Sequence, residues 1–337
     1  MRNRLVFLLL VLVMLPSAHA SWSLDAVLER AVEASAAVRS AQIDLDTARR
    51  DLARVEADPT SLLVARFQAE HAAERALGGL TAARLRAEDA ATSAYGDVLE
   101  AADGAAIAEA GLTIAERALE ATVIRLDAGA ATRLDLDRAE NDRMGAARDL
   151  DDARARLALS RDRLASLVAS DDEAPAALDP LPSVAAIPAL ESLLERAEEN
   201  AQVQAALQQV ALAEAQLAAV DNPISSARAD IEAAHDRLDG ARLQLDEQRR
   251  SLTLLLRQAH DAARAAESRL RGAEASLGTA REDERVQALR LDSGVVSALA
   301  FEQTRLQRMR LEAQARAAEH AVAAALRQLA LTLLGAR

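Results

Sequence analysis

The residues best suited to chemistry in this sequence are Glu232 and His235, which form a Glu-x-x-His pattern. Di-iron helical bundles use that spacing on one helix face, together with a second copy and two further glutamates. The internal repeat described below relates His235 to the neighbourhood of Glu70 and His71, which do not keep the spacing. We therefore interpret these side chains as solvated helix-face residues and predict neither a metal site nor a cofactor.

Other catalytic arrangements are missing from the sequence. It contains no cysteine, which excludes disulfides, thiolate zinc sites and cysteine nucleophiles. Serine, aspartate and histidine are not arranged around a nucleophile elbow, and the glycines are dispersed rather than gathered in a phosphate-binding loop. Paired acids such as Asp151-Asp152 and Asp171-Asp172 are typical of a solvated helix face and a linker. We predict that the protein is not an enzyme.

The composition indicates helices. Hydrophobic residues make up 51% of the chain but aromatic residues only 1%, and alanine, leucine, arginine and glutamate are abundant. These are strong helix formers, whereas the β-branched and aromatic residues that favour strands are scarce. The composition therefore argues against a β-sandwich and against an aromatic-lined pocket. The net charge of −13 also argues against nucleic acid, whose phosphates require a basic face.

The start of the chain, over 1–20, has the pattern of a secretory signal peptide. Arg2 and Arg4 precede an apolar run from Leu5 to Leu15, and the small-x-small sequence Ala18-His19-Ala20 follows. A run of this length is too short to span a bilayer comfortably, although an uncleaved anchor remains the alternative. We expect an exported protein in the periplasm or cell envelope, peripheral to the outer membrane if it is attached there.

The rest of the chain is duplicated, and adding 165 to a residue number in the first half gives its counterpart in the second. Residues 125–129 (Arg-Leu-Asp-Ala-Gly) match residues 290–294 (Arg-Leu-Asp-Ser-Gly), and a Leu-Glu-Arg-Ala segment opens each half at a spacing of 166. A linker with four prolines separates the halves. The predicted organisation is a signal peptide over 1–20, a first repeat over 21–170, the linker over 171–188 and a second repeat over 189–337.

Each half is predicted to contain three helical pieces. They cover residues 24–57, 61–127 and 132–169 in the first half, and 189–221, 225–292 and 297–334 in the second. Ser35 and Asn200 are expected to cap a second segment within the first piece, and Gly78-Gly79 to interrupt the second. Thr132 and Asp135 have the spacing of a helix N-terminal cap. Leucines at heptad spacing predict long antiparallel coiled coils in an all-α fold of two tandem three-helix repeats.

These motifs, in this order and in duplicate, resemble the TolC-like outer-membrane efflux protein family. The resemblance covers about residues 24–335. It implies helices that build a periplasmic tunnel in a homo-oligomer, usually a trimer. It further implies a periplasmic adaptor and an inner-membrane transporter as partners, and transport without catalysis. We expect a component that forms or extends such a conduit.

By the same resemblance, the tips of the helical hairpins dock the adaptor. The residues that match these tips are Leu126, Asp127, Gly129, Leu291, Asp292 and Gly294. Glycine allows the left-handed backbone that ends a helix, so simple capping is the alternative role for Gly129 and Gly294.

The sequence departs from the family pattern in two places. The segments after Pro59 and Pro223 become helix-like at once and leave no room for membrane strands of about 9–11 residues, so we expect the outer-membrane barrel to be missing. The acidic entrance positions of the second repeat are occupied by Ala300 and Gln303. The first repeat retains Asp135 as a candidate channel-entrance acid.

Two other protein classes fit the sequence less well. A structural periplasmic coiled coil would keep the repeat without transport, and it is the alternative to a conduit. A periplasmic adaptor would flank its hairpin with β-rich domains, and no segment of this sequence has strand alternation.

Overall fold

The computed structural model describes residues 22–60, 63–170, 174–175, 178–182, 186–220 and 227–335. The predicted signal peptide, parts of the proline-rich linker and the predicted turn at Pro223 lie outside these ranges. The described residues form eight α-helices and one 3-10 helix over Arg196–Glu199. The α-helices are α1 (Leu24–Ala34), α2 (Ala36–Ala57), α3 (Leu63–Asp127), α4 (Arg133–Leu167), α5 (Leu190–Glu195), α6 (Ala201–Val220), α7 (Arg228–Asp292) and α8 (Ala298–Leu334).

The prediction of an all-α fold with long helices is confirmed, since no β-strand occurs in the residues that the structure describes. Helices α3 and α7 have 65 residues each, which corresponds to a length of about 100 Å. The helix bounds follow the repeat, because adding 165 to the ends of α3 gives the ends of α7. Within the described ranges, no helix combines the length and apolarity that crossing a membrane requires.

The predicted interruption at Gly78-Gly79 is wrong, because α3 runs through both residues without a break. A glycine inside a helix costs only about 1 kcal/mol relative to alanine, so neighbouring contacts can outweigh it. Those contacts come from α2, whose Val38 and Leu45 pack against Leu80 of α3 in a buried cluster.

The long helices lie side by side in the order α4, α3, α8, α7. Helices α3 and α4 form one hairpin, α7 and α8 form the other, and α3 contacts α8 between them. The shorter helices pack beside one end of the long helices. Helices α1 and α2 pack on α3, whereas α6 packs on α7 and also contacts α3. Helices α4 and α7 are therefore the two edges of the row.

Each repeat has its own hydrophobic core, built where a short helix meets the long ones. The first core contains Val27, Tyr95, Val98 and Leu164, and the second contains Val203, Leu256 and Leu329. Tyr95 also holds the linker, because its hydroxyl donates a 3.0 Å hydrogen bond to the carbonyl oxygen of Asp179. Burial raises the pKa of this hydroxyl above its ordinary value.

The contact between the two repeats has a different character, because three arginine–carboxylate ion pairs and one histidine–glutamate contact line it. In the described residues each buried apolar cluster stays within one repeat and its linker. The pairs that join α3 to α8, which we call the inter-repeat ladder, are Asp89–Arg327 at 2.7 Å, Glu100–His320 at 3.1 Å, Asp103–Arg316 at 2.7 Å and Arg117–Glu302 at 2.9 Å. The numbers rise along α3 as they fall along α8, so the two helices are antiparallel.

The ends of the helices are capped as the sequence predicts. The Ser35 hydroxyl accepts a hydrogen bond from the Val38 amide at the start of α2. Asn200 is 2% exposed and caps two helices at once. Its side-chain oxygen accepts from the amides of Gln202 and Val203, and its side-chain nitrogen donates to two carbonyl oxygens of the last turn of α8. This residue therefore ties α6 to α8.

We predict that the ladder pair Asp103–Arg316 contributes a measurable coupling energy. Because both side chains are partly exposed, a double-mutant cycle with Asp103→Ala and Arg316→Ala should give about 0.5–1 kcal/mol in urea unfolding at low salt. Salt should reduce the coupling, since screening weakens exposed charge pairs. The exposed pair Arg228–Glu232 within α7 is the control, with an expected coupling of about 0.3 kcal/mol. A coupling at Asp103–Arg316 no larger than this would contradict the prediction.

We also predict that Ala169→Gly stabilises the protein by about 0.5–1 kcal/mol in the same assay. Ala169 follows the end of α4 with a φ of 47°, a left-handed conformation that glycine adopts without strain. Ala147→Gly in the interior of α4 is the matched control and should destabilise by about 1 kcal/mol. Equal effects of the two substitutions would contradict the explanation.

Candidate docking site at the helical tips

The two hairpins end in turns of the same design. Helix α3 ends before Gly129 with a φ of 71°, and α7 ends before Gly294 with a φ of 73°. In each turn the glycine amide and the next amide donate back to carbonyl oxygens of the last helical turn, at 2.7–2.9 Å. This is the Schellman arrangement, which satisfies carbonyl groups that the helix leaves unpaired. The predicted left-handed role of both glycines is confirmed.

The helices that leave the tips begin differently in the two repeats. Thr132 and Asp135 form a reciprocal capping box at the start of α4: the Asp135 amide donates to the threonine hydroxyl at 3.2 Å, and the Thr132 amide donates to the aspartate at 2.9 Å. Helix α8 has only one half of this motif, in which the Ser297 hydroxyl accepts from the Ala300 amide. The absence of a carboxylate at Ala300 removes the reciprocal bond.

Asp135, the candidate channel-entrance acid, is therefore part of a helix cap. Hydrogen bonds from the hydroxyl and the amide of Thr132 lower the pKa of this carboxyl below its ordinary value, and Arg138 adds a smaller effect. Asp135 also lines a groove of about 420 Å³ together with Thr122, Ala131 and Leu299. The groove joins the first tip to the second, because Leu299 belongs to α8.

The structure brings the predicted tip residues to one end of the molecule. The Arg117–Glu302 pair links the two hairpins close to their turns. Leu126 and Leu291 are half-buried, whereas Asp127, Asp292 and both tip glycines are exposed. The two leucines are therefore partly packed, and the polar residues and glycines present the surface.

Sequence reasoning missed the apolar side chains that this end exposes. Val123, Ile124, Leu134, Leu289 and Val295 lie within two helical turns of the tip glycines, with exposures from 40% to 71%. Contiguous patches of exposed large apolar residues are typical of interaction surfaces. One signal was available in the sequence, since Ile124 and Leu289 are large apolar residues at the repeat spacing. Their exposure could be learned only from the packing of the helices. We call these five residues the apolar tip patch.

The residues considered for metal binding are placed elsewhere. Glu232 accepts a 2.8 Å hydrogen bond from Arg228, and His235 is exposed on the same helix. Across the described parts of the chain, no three histidine, aspartate or glutamate side chains are grouped in a way that could hold a metal ion.

We predict that Thr132→Ala lowers the free energy of unfolding by about 1 kcal/mol at neutral pH. The contribution of the Asp135 carboxylate depends on pH. Because its folded pKa is lowered, its stabilising effect is present above the unfolded pKa and is lost as pH falls through the folded pKa. The difference between wild type and variant should therefore shrink below about pH 4. Ser297→Ala, at a cap without a carboxylate, is the control whose effect should keep its size. Parallel pH profiles for the two variants would contradict this account.

Comparison with known proteins gives matches among solved structures only. No family model matches the sequence, and no curated protein matches it. A membrane protein from Pseudomonas aeruginosa superposes with a TM-score of 0.66 and 17% identity, over 94% of this chain and 91% of the other. CusC, a protein that forms a transmembrane channel, superposes with a TM-score of 0.64 and 14% identity, over 93% of this chain and 96% of the other.

The outer membrane protein VceC of Vibrio cholerae gives a TM-score of 0.60 and 16% identity, over 90% of this chain and 95% of the other. These matches span nearly the whole of both chains, so they concern the complete helical body rather than one hairpin. At such low identities they establish the fold. This chain has the fold of the TolC-like outer-membrane efflux proteins, as the resemblance in its sequence implies.

Proposed function

We propose that the protein is a non-enzymatic component of an envelope transport assembly, in which it forms or extends a periplasmic α-helical conduit. The observation that carries this proposal is the pair of adjacent tips, with its exposed apolar patch, at one end of helices about 100 Å long. The fold shared with outer-membrane channels supports the same role. The expected location is the cell envelope, after export.

The tip patch fits a partner made of helical hairpins. Each tip is a tight helix–turn–helix with apolar side chains beside polar ones, so a second hairpin can pack against it at coiled-coil spacing. Charged groups at the rim, such as Asp127 and Asp292, would orient such a partner and contribute less to affinity. The family resemblance supports a periplasmic adaptor as this partner, and the adaptor would in turn contact an inner-membrane transporter.

A conduit requires more than one copy of the chain. The four long helices of one copy lie in a single row, and a row of four cannot enclose a lumen. Several copies side by side would provide a wall, and the resemblance suggests three. The internal duplication gives each copy two similar segments of that wall.

The apolar tip patch provides the test. We expect Val295→Asp to abolish export and adaptor cross-linking while the helical circular dichroism and the thermal midpoint stay unchanged. Val295 is 71% exposed, so a charge there should not disturb the fold. Leu77→Asp, at an exposed apolar residue of α3 far from the tips, is the matched control and should keep both activities.

Two results would overturn the proposal. Unchanged export and cross-linking in Val295→Asp would favour the structural scaffold, because a scaffold does not need the tips. A purified mature protein that is monomeric by native mass measurement, and that cross-links to no adaptor or transporter in the envelope, would contradict the conduit itself.

A further inference from the structure

Histidine occurs once in the inter-repeat ladder, and it distinguishes one of the four contacts from the other three. Arg327, Arg316 and Arg117 supply the cations of those three, at 2.7–2.9 Å from their carboxylates. Arginine cannot be deprotonated in proteins, and carboxylates ordinarily lose their charge only near pH 4, whereas imidazole changes its charge between about pH 5 and 8. His320 is therefore the ladder group that gains or loses a charge in that range.

His320 lies where three parts of the chain meet. Its Nδ1 atom is 3.1 Å from Oε1 of Glu100 in α3. Its ring also lies against Gly96 of α3, where a β-carbon would stand 3.6 Å from Nδ1, and Leu181 of the linker reaches the same glycine position at 3.9 Å. The imidazole is 13% exposed, so the first repeat and the linker shelter it while water can still deliver a proton.

The other charged groups of the second repeat near His320 are already engaged. The neighbouring cation, Arg316, lies one turn earlier on α8 and interacts with three carboxylates, those of Asp103, Glu312 and Glu319. Helix α7 packs on α8 as well, but its members of the buried cluster shared with this part of α8 are Ala273 and Leu277, which carry no charge. The charge of His320 is therefore felt mainly by its contact on α3.

Glu100 likewise has His320 as its nearest partner. Its carboxylate lines a groove of about 840 Å³ in which charges of both signs are equally numerous. The other charged residues that line this groove are Asp97, Asp149, Asp152, Arg156, Arg163 and Arg310. The linker adds the carboxylate of Asp179, which lies beside Tyr95. Neither sign dominates around Glu100, so the state of the imidazole decides the character of this contact.

We propose that the Glu100–His320 contact is a proton-sensitive joint between the two repeats. With a proton on both ring nitrogens the imidazole is a cation, and the contact becomes an ion pair like the other three. When the ring is neutral, its N–H donates to the carboxylate as an uncharged group, and the bond loses the attraction between opposite charges. Acidification from about pH 8 to about pH 5.5 should therefore tighten the attachment of α8 to α3.

A second histidine–glutamate contact provides an internal contrast. Nδ1 of His71 lies 2.8 Å from Oε2 of Glu74, three residues later on the same helix, and that oxygen accepts a 3.1 Å hydrogen bond from Gln208 of α6. Because His71 and Glu74 both belong to α3, a proton on His71 strengthens a pair within one helix. The bond to the other repeat is made by a neutral amide, so this contact is not part of the joint.

A double-mutant cycle at two pH values tests the joint. Glu100→Gln and His320→Gln keep polar side chains and remove the charges. In urea unfolding of the mature protein at low salt, their coupling should change the unfolding constant by about 2- to 3-fold near pH 5.5 and by less than about 1.5-fold near pH 8. Added salt should weaken the coupling near pH 5.5 and leave it unchanged near pH 8, because only the ion pair is screened.

Two controls keep their charges over this range. The cycle of Asp103→Ala with Arg316→Ala, at the neighbouring ladder pair, should give the same coupling at both pH values. Glu116→Gln removes an exposed acid of α3 about 24 Å from Glu100, and its effect on stability should not depend on pH. Glu100 is 46% exposed, so Glu100→Gln should fold even if His320→Gln does not. Its loss of stability alone should be larger near pH 5.5 than near pH 8.

The outcomes are distinct from those of the proposed function. A coupling between positions 100 and 320 that is equal at both pH values, or that grows as pH rises, would overturn the joint. An equally large pH dependence in the Asp103–Arg316 cycle would also overturn it, because the effect would then belong to the whole protein. A coupling confined to acid pH, with both controls unchanged, would support the joint. The conduit is tested separately at the apolar tip patch.

Discussion

The attachment of α3 to α8 is the contact on which the rest of the structure depends. Each repeat has its own core where short helices meet long ones, but a pair of thin, alanine-rich helices buries little surface by itself. The two hairpins therefore need a specific reason to lie side by side. The inter-repeat ladder provides it, since the acids of α3 between Asp89 and Asp103 meet the basic residues of α8. The order of the four long helices, the adjacency of the tips and the exposed edges all follow.

The proposed docking surface lies at one of the places where this attachment leaves helices uncovered. At the tip end, both hairpins turn sharply, and the left-handed glycines and the helix caps satisfy the local backbone hydrogen-bonding groups. Apolar side chains next to these turns are exposed. At the two edges of the row, α4 and α7 each lack the neighbour that α8 and α3 have within the chain. A protein built by duplication repeats its helices but not its charges, so equivalent faces acquire different chemistry.

The helix caps and turns could be predicted from the sequence, because the interactions that form them join residues close together in the chain. Ser35, Thr132 and Gly129 act within a few residues of themselves, as does the side-chain oxygen of Asn200, and these roles are those that their spacing predicts. The bonds from the side-chain nitrogen of Asn200 to α8 are not local, and the spacing did not predict them. The sequence did not predict that α3 continues through Gly78-Gly79, because this depends on packing against α2, which outweighs the low helix propensity of glycine. The apolar tip patch was missed for a related reason: the repeat spacing places apolar residues at Ile124 and Leu289, but only the packing of the helices decides that these side chains are exposed.

The sequence by itself determined the helical composition, the internal repeat, the turns and the caps, since these depend on propensity and on bonds between near neighbours. Only the tertiary structure decided which long helix lies beside which. Asp103 and Arg316 are separated by 213 positions, and in a chain with 53 acids and 40 bases many other pairings have the same chemistry. The choice among them comes from the packing of whole helices, which brings one set of charges into register at hydrogen-bonding distance. The exposure of the tips and edges follows from that choice.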